Sequence, residues 1–255
     1  MKIVINADDF GLSNTINRAI LASVQAGLCS STTVMANQPG FAEACQLAHE
    51  HRLLDRVGIH LVLTAGCPLT EAIKRYPRFC DPEGRFCFSR GRPLFWLGAA
   101  ERDVVAAELA AQIKRCRDAG LPITHIDSHH HCHTEFAILS VVINLARREG
   151  IRFCRLSRNC GPGIKLPRRM YKQVVNARIR LAHLAGTQFF GSTHDVLVLA
   201  RKHPSAFSTE VMIHPTFDEN NVLCDAPERV DLEGLVSQIP AWREAISYGF
   251  LRQTC

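Results

Sequence analysis

Along the chain, short apolar runs rich in β-branched residues alternate with longer stretches in which apolar positions recur every third or fourth residue. Ile3 to Ile5 begin the first run, which ends at Ala7-Asp8-Asp9-Phe10-Gly11. Ile16, Ala19, Ile20 and Val24 then follow helical spacing, with Ser13 or Asn14 as cap and Gly27 as stop. The pattern is strand, loop, helix. It returns as residues 30–35 before a helix at 41–51, and as 57–63 before a long connection and a helix at 101–120. A third return is 122–127, before a helix whose apolar face carries Ile138, Val141, Val142 and Leu145. Further strands are expected at 152–156, 188–190, 209–214 and 248–253. About seven or eight such units predict an α/β fold of mainly parallel strands with helices outside, closed into an irregular, TIM-barrel-like (β/α) barrel. An open doubly wound sheet is the alternative, and in both the chemistry gathers at the carboxyl ends of the strands.

Composition sharpens this picture. The 255 residues, 47% apolar and 21% charged, fit one globular domain over 1–255, with an insertion at 64–98 and no repeat or low-complexity tract. The opening MKIVINADDFG enters a strand without a basic leader, and no run is long and apolar enough for a membrane span, so a soluble cytoplasmic protein with no membrane partner is expected. Eleven cysteines, an odd number with no CxxC pair, read as reduced and mostly buried thiols rather than a disulfide framework or zinc ribbon. The net charge of +6 gathers at KLPRRMYK (165–172), Arg178 and Arg180; no nucleic-acid motif accompanies it, so it reads as a solvated loop and helix face.

Four polar clusters fall at predicted strand ends: Asp8-Asp9, His60 within the apolar run GIHLVL, HIDSHHHCH (125–133), and His214-Pro215. A parallel sheet brings such ends to one rim. Five imidazoles in nine positions exceed what packing needs. If the backbone stays extended, Asp127, His129 and His131 share a face; if the next helix starts early, His129 and His133 do. Asp8 and Asp9 would point to opposite faces of a regular strand, unless a turn at Phe10-Gly11 aims both at the rim. Two imidazoles and a carboxylate with places left for water suit a catalytic divalent ion, and metal-assisted hydrolysis of an amide then calls for a base and an acid, for which Asp8 and His214 are candidates. His49, His51, His183, His194 and His203 are assigned to the surface.

NADDFGLS (6–13), GIHLVLT (58–64), THIDSHHHCH (124–133) and EVMIHP (210–215) closely resemble, in order and spacing, the motifs of the YdjC-like carbohydrate deacetylases, whose best-known members are chitooligosaccharide deacetylases. The resemblance covers essentially the whole chain. It implies an irregular (β/α) barrel, one divalent ion (magnesium or zinc), and removal of acetyl groups from N-acetylated sugars. It further implies Asp9, His60 and His129 as metal ligands. By analogy with the wider polysaccharide deacetylases, Asp8 would be the general base and His214 the acid. Asp127 and His131 are assigned to support the ligands from behind. Ile213 stands where the family commonly has cysteine, and the run from Cys154 to Lys165 looks individual; both bear on the substrate, not the chemistry.

The insertion carries Tyr76, Phe79, Phe86, Phe88, Phe95 and Trp96, which suggests a lid and sugar platform with Phe95 and Trp96 as substrate contacts. Packing of a small subdomain, or a homodimer contact, would use the same rings. Two other functions compete: a phosphoesterase or amidohydrolase bridging two or more metals on a similar barrel, and a non-enzymatic metal-binding module built on the histidine run.

Overall fold

The computed structural model describes residues 2–91, 93–202, 207–227 and 229–253; His203 lies outside the described residues. The chain runs β1 (Lys2–Phe10), α1 (Asn14–Gln25), β2 (Ser31–Val34), α2 (Phe41–Glu50), β3 (Val57–Leu61), α3 (Ala99–Asp118), β4 (Ile126–Ser128) and α4 (Phe136–Arg148). It continues with α5 (Leu166–Leu181), β5 (Phe189–Gly191), α6 (Thr193–Lys202), β6 (Ser208–Ile213), β7 (Pro215–Phe217), β8 (Leu223–Asp225), β9 (Val230–Asp231), α7 (Leu232–Gln238) and α8 (Tyr248–Gln253).

Six parallel strands form a curled sheet in the order β4-β3-β2-β1-β6-β5, a half-barrel with helices packed outside. β1 lies at its centre and is buried at every residue after Lys2, as expected of a strand covered on both faces. The chain from Phe153 to Asn159 spans the open side. Ile126 N donates to Phe153 O at 2.9 Å and Cys154 N to Leu184 O at 2.7 Å beside β4, while Asn159 N donates to Phe190 O at 3.2 Å beside β5. Ser13 caps α1 by accepting from Ile16 N. The described cysteines are free thiols, most of them buried. No described helix is long and apolar enough to cross a membrane.

Several elements differ from their sequence pattern. The sheet has six strands where seven or eight units were expected, because 152–156 makes only isolated bridges at Cys154 and 248–253 is not strand; 122–127 becomes regular strand only from Ile126. Residues 248–253 are helix rather than strand: Tyr248 and Leu251, one turn apart, seal a small apolar cluster with Val4 and Phe153. The antiparallel sheet β7-β8-β9, which sequence reading did not anticipate, follows directly on His214.

One glycine is dictated by the sheet itself. A Cβ on Gly58 in β3 would sit 2.6 Å from the backbone oxygen of His125 and 2.5 Å from its Nδ1. Gly58→Ala is therefore expected to cost about 1–3 kcal/mol, by analogy with overpacked cores. Urea unfolding at neutral pH measures it, and a variant as stable as the parent would contradict this packing.

Candidate active site

The site grows from the carboxyl ends of β1, β3 and β4. In β1 the pairing with β2 shifts register between Ala7 and Phe10, and Asp9 adopts φ 70°, a left-handed conformation rare for aspartate. That distortion, one residue earlier than the turn expected at Phe10-Gly11, breaks the strict alternation and lets both carboxylates serve one rim. In β3, His60 lies in register with Asp127 of β4, so the two side chains share a face and Asp127 Oδ1 meets His60 Nδ1 at 2.7 Å.

The histidine run takes neither of the expected geometries. Residues His129–Thr134 form a 3-10 turn interrupted by left-handed backbone at His130 (φ 50°) and His131 (φ 55°), and α4 starts only at Phe136. Each imidazole consequently has a separate environment. His129 Nδ1 reaches Asp9 Oδ1 at 2.9 Å. His125 is buried against Tyr248, with its Nε2 3.0 Å from Asn6 Oδ1. His133 is buried between Ser128 and the Arg155 carbonyl, and burial lowers its pKa to about 3. His130 meets Thr64 at the exposed edge, and His131 turns its ring toward Phe190.

Three atoms from three strand ends now face one another. His60 Nε2 lies 3.1 Å from Asp9 Oδ1, His129 Nδ1 lies 2.9 Å from the same oxygen, and all three fall within 4.8 Å of one another. Their chemistry fits a divalent cation: two imidazole nitrogens and one carboxylate oxygen at the mouth of a cavity. Electrostatics agree. Burial would depress the His60 pKa, yet the carboxylates of Asp127, Asp9 and Asp8 lift it to about 10. Asp127 on His60 Nδ1 leaves Nε2 facing Asp9, the usual way a carboxylate orients a metal-binding histidine.

Behind this group lies a residue that the sequence reading did not single out. Arg155, fully buried, grips both oxygens of Asp8 (2.6 and 2.7 Å) and also contacts Asp127 at 2.8 Å and Glu210 at 2.7 Å. Tyr248 donates to the other Glu210 oxygen at 2.6 Å. Burial alone would raise the Asp8 pKa, but the Arg155 guanidinium overrides it, helped by His60 and His214, and holds the carboxyl well below its ordinary range. A signal was present: an arginine inside the apolar run RFCRL is as unexpected as His60 inside GIHLVL. A second acidic group, Asp8 with His60 and Asp127, also lies within 4.8 Å, but its cation is already the Arg155 guanidinium.

His214 follows β6. Its Nε2 stands 4.0 Å from Asp8 Oδ2, and Asp225 on β8 accepts from its backbone N at 2.7 Å while facing Nδ1 at 3.8 Å. Burial pushes its pKa down, but Asp225, Asp8 and Asp9 prevail and raise it above the ordinary 6.5.

Asp8, Asp9, His60, His129, His131 and His214 line one cavity of about 710 Å³, which the insertion closes with Phe88, Ser89 and Arg90. Arg90 ties the insertion to the histidine turn through Glu135 (2.6 Å) and the His130 carbonyl (2.6 Å). Phe95 and Trp96 do not line this cavity. Phe95 packs on Phe136 and Tyr171, and Trp96 remains 71% exposed.

A family profile described as YdjC-like protein matches residues 2–246. The chain is similar to a carbohydrate deacetylase of Brevibacillus brevis (strain 47), 46% identical over 146 residues; the match covers 57% of this chain and 56% of that protein, little more than half its length. It is similar also to a carbohydrate deacetylase of Geobacillus stearothermophilus, 35% identical over 217 residues, with 84% of this chain and 79% of that protein covered. Among solved structures, an Enterococcus faecalis V583 protein provisionally described as a cellobiose-phosphate cleavage protein superposes with a TM-score of 0.72 over 98% of both chains; at 21% identity this speaks for the fold alone.

Proposed function

Because the chain belongs to the YdjC-like family, we propose that it is a metal-dependent carbohydrate deacetylase, a hydrolase that removes acetyl groups from N-acetylated sugars such as the N-acetylglucosamine units of chitooligosaccharides. The observation that carries this reading is the convergence of Asp9, His60 and His129, with Asp8 and His214 beside them at the wall of one cavity.

Asp9 Oδ1, His60 Nε2 and His129 Nδ1 would hold one divalent ion, zinc or magnesium. Such an ion lowers the pKa of water towards about 7 and polarises a carbonyl oxygen. The chain's own residues supply the proton traffic. A carboxylate has about four acceptor places. In Asp8, Arg155 takes one on each oxygen, and Asn6 takes a second on Oδ1 at 2.8 Å. The vacant place is on Oδ2, the oxygen that faces His214, so the base and the acid work on the same small volume. Asp8 removes a proton from the attacking water there, and His214 Nε2 delivers one to the departing amine nitrogen. Asp127 orients His60, and the substrate contact expected of the insertion passes from Phe95 and Trp96 to Phe88–Arg90. Arg155 argues against the two-metal phosphoesterase or amidohydrolase, because a guanidinium supplies the charge at the place where a second cation would have to sit.

Acetate release from N,N′-diacetylchitobiose and longer N-acetylated oligomers tests the proposal, with and without a chelator. Metal-dependent release is the expected result; no release from any of them would refute it. The acid role sets a pH signature. His214 must carry its proton to act, so activity should hold through neutrality and fall as pH rises through its elevated pKa. A cation on Asp9 removes one contributor to that elevation, but Asp225 and Asp8 remain. Asp8, held below the usual carboxylate range, stays ionised throughout. A rate that climbs steadily above pH 7 would be incompatible with His214 as the acid.

A further inference from the structure

Two consecutive residues of the histidine turn, His130 and His131, hold left-handed backbone (φ 50° and 55°), which side chains other than glycine adopt only at a cost. His129, whose Nδ1 faces Asp9 Oδ1, stands immediately before them. The place of that nitrogen therefore depends on whatever keeps the turn in its strained shape. Within the turn, Ser128 Oγ accepts from His133 N at 2.9 Å, and Thr134 Oγ1 donates to the His131 carbonyl at 2.9 Å. Neither bond engages the carbonyl of His130.

That carbonyl is met from the insertion. Arg90 Nη1 donates to it at 2.6 Å, while Nη2 donates to Thr134 Oγ1 at 3.2 Å and so reaches the His131 carbonyl through one hydroxyl. The remaining nitrogen, Nε, donates to Glu135 Oε1 at 2.6 Å. Glu135 is buried, and its second oxygen accepts from Leu94 N at 2.9 Å. One guanidinium thus serves both left-handed residues, and one buried carboxylate fixes the guanidinium together with the chain that follows it. The planar fork matters here, because three acceptors lie in three directions and a lysine ammonium would have a single nitrogen to share among them. Arg90 also belongs to the wall of the cavity, beside Phe88 and Ser89.

We infer that Arg90 is a positioning residue for the group proposed to hold the metal: by pinning the strained turn it sets His129 Nδ1 against Asp9 and His60, and so makes the affinity for the cation depend on where the insertion lies. The inference rests on the metal-dependent deacetylase reading and adds to it a coupling between the wall of the substrate cavity and the ion. Such a coupling is reciprocal: a sugar that draws the insertion onto the cavity tightens the hold on the ion, and the ion draws the insertion down.

Zinc affinity of the full chain, measured by competition with a chromogenic chelator, reads this without turnover. Arg90→Met should bind zinc about 10–100-fold more weakly than the parent, the usual effect of losing a partner that orients a metal ligand. Arg90→Lys should fall between the two. Thr134→Val leaves the Arg90–Glu135 pair in place and removes only the hydroxyl that serves the His131 carbonyl, so it should weaken zinc binding less than Arg90→Met; it keeps the test open if Arg90→Met does not fold. Amide hydrogen exchange gives a second readout: exchange through residues 126–135 should quicken in Arg90→Met while that of α3 stays as in the parent. Unchanged zinc affinity in a folded Arg90→Met would overturn the proposal, whatever the rate of acetate release, because a residue that merely shapes the cavity wall would alter KM alone. Zinc binding without acetate release would sink the deacetylase reading and leave this comparison intact. If the parent binds no zinc, the metal-dependent reading fails, and exchange then decides: a turn as protected in Arg90→Met as in the parent would overturn the positioning role as well.

Discussion

Asp8→Asn is expected to lower acetate release by about 1000-fold, the middle of the range for loss of a general base, without loss of the proposed metal ion. The reason lies in which atoms each aspartate uses. Asp9, not Asp8, faces His60 Nε2 and His129 Nδ1, so the group proposed to hold the metal survives the change. The amide, by contrast, cannot accept a proton at the Oδ2 position that opens toward His214. One side effect is foreseen: an amide nitrogen placed against an Arg155 Nη loses one of two short ion-pair contacts. Circular dichroism and unfolding curves must therefore accompany the assay. Acetate release at parental rates from a folded, metal-loaded Asp8→Asn enzyme would remove Asp8 from the chemistry and favour a module that binds metal without catalysis.

Arg155→Met should have the largest effect on stability. The guanidinium is the shared cation of Asp8, Asp127 and Glu210, all of them buried. Its removal takes away the counter-charge that the three carboxyls share. Breaking a buried pair from one side costs about 3–5 kcal/mol. The pH dependence identifies the cause. With Arg155 present, the Asp8 pKa is depressed in the folded protein, so that its stabilisation is complete above the unfolded value and is lost as pH falls through the depressed one. Without Arg155, burial, which pushes the carboxyls of Asp8 and Glu210 upward, raises their folded pKa above the unfolded value of about 4. The destabilisation is then largest at neutral pH and is relieved as pH falls through the raised pKa. Denaturant unfolding at pH 7 and pH 5 should show the deficit of Arg155→Met shrinking at the lower pH. A deficit that is the same at both would mean that lost packing, not unpaired charge, is responsible.

The parallel α/β framework was legible because strand and helix periods alternate clearly, and the rim was legible because polar residues interrupt apolar runs at Asp8, His60 and His214. What stayed hidden has physical causes. Residues 152–156 carry a strand pattern, but only Cys154 makes bridges on both sides, since the chain crosses the open side of the half-barrel instead of joining it. Residues 248–253 are too few for periodicity to separate strand from helix, and the docking of Tyr248 and Leu251 decides the matter. The histidine run could not be resolved from spacing because two consecutive left-handed residues, His130 and His131, are invisible to either periodic template. Aromatic composition pointed to Phe95 and Trp96, but loop residues are placed by their anchors. Arg90, clamped to Glu135, brings Phe88–Arg90 to the cavity, and Phe95 packs on Tyr171. Arg155 and Asp225 were missed because each acts through another residue rather than through a recognisable motif.

The proposed chemistry requires one cation at one place. Crystals of the protein soaked in zinc, with anomalous data collected at the zinc edge, test this directly. The predicted outcome is a single strong peak per chain, about 2.0–2.2 Å from Asp9 Oδ1, His60 Nε2 and His129 Nδ1, with Arg155 still bridging Asp8 and Asp127. A peak between Asp8 and Asp127 with Arg155 displaced, or two metals across both groups, would contradict it.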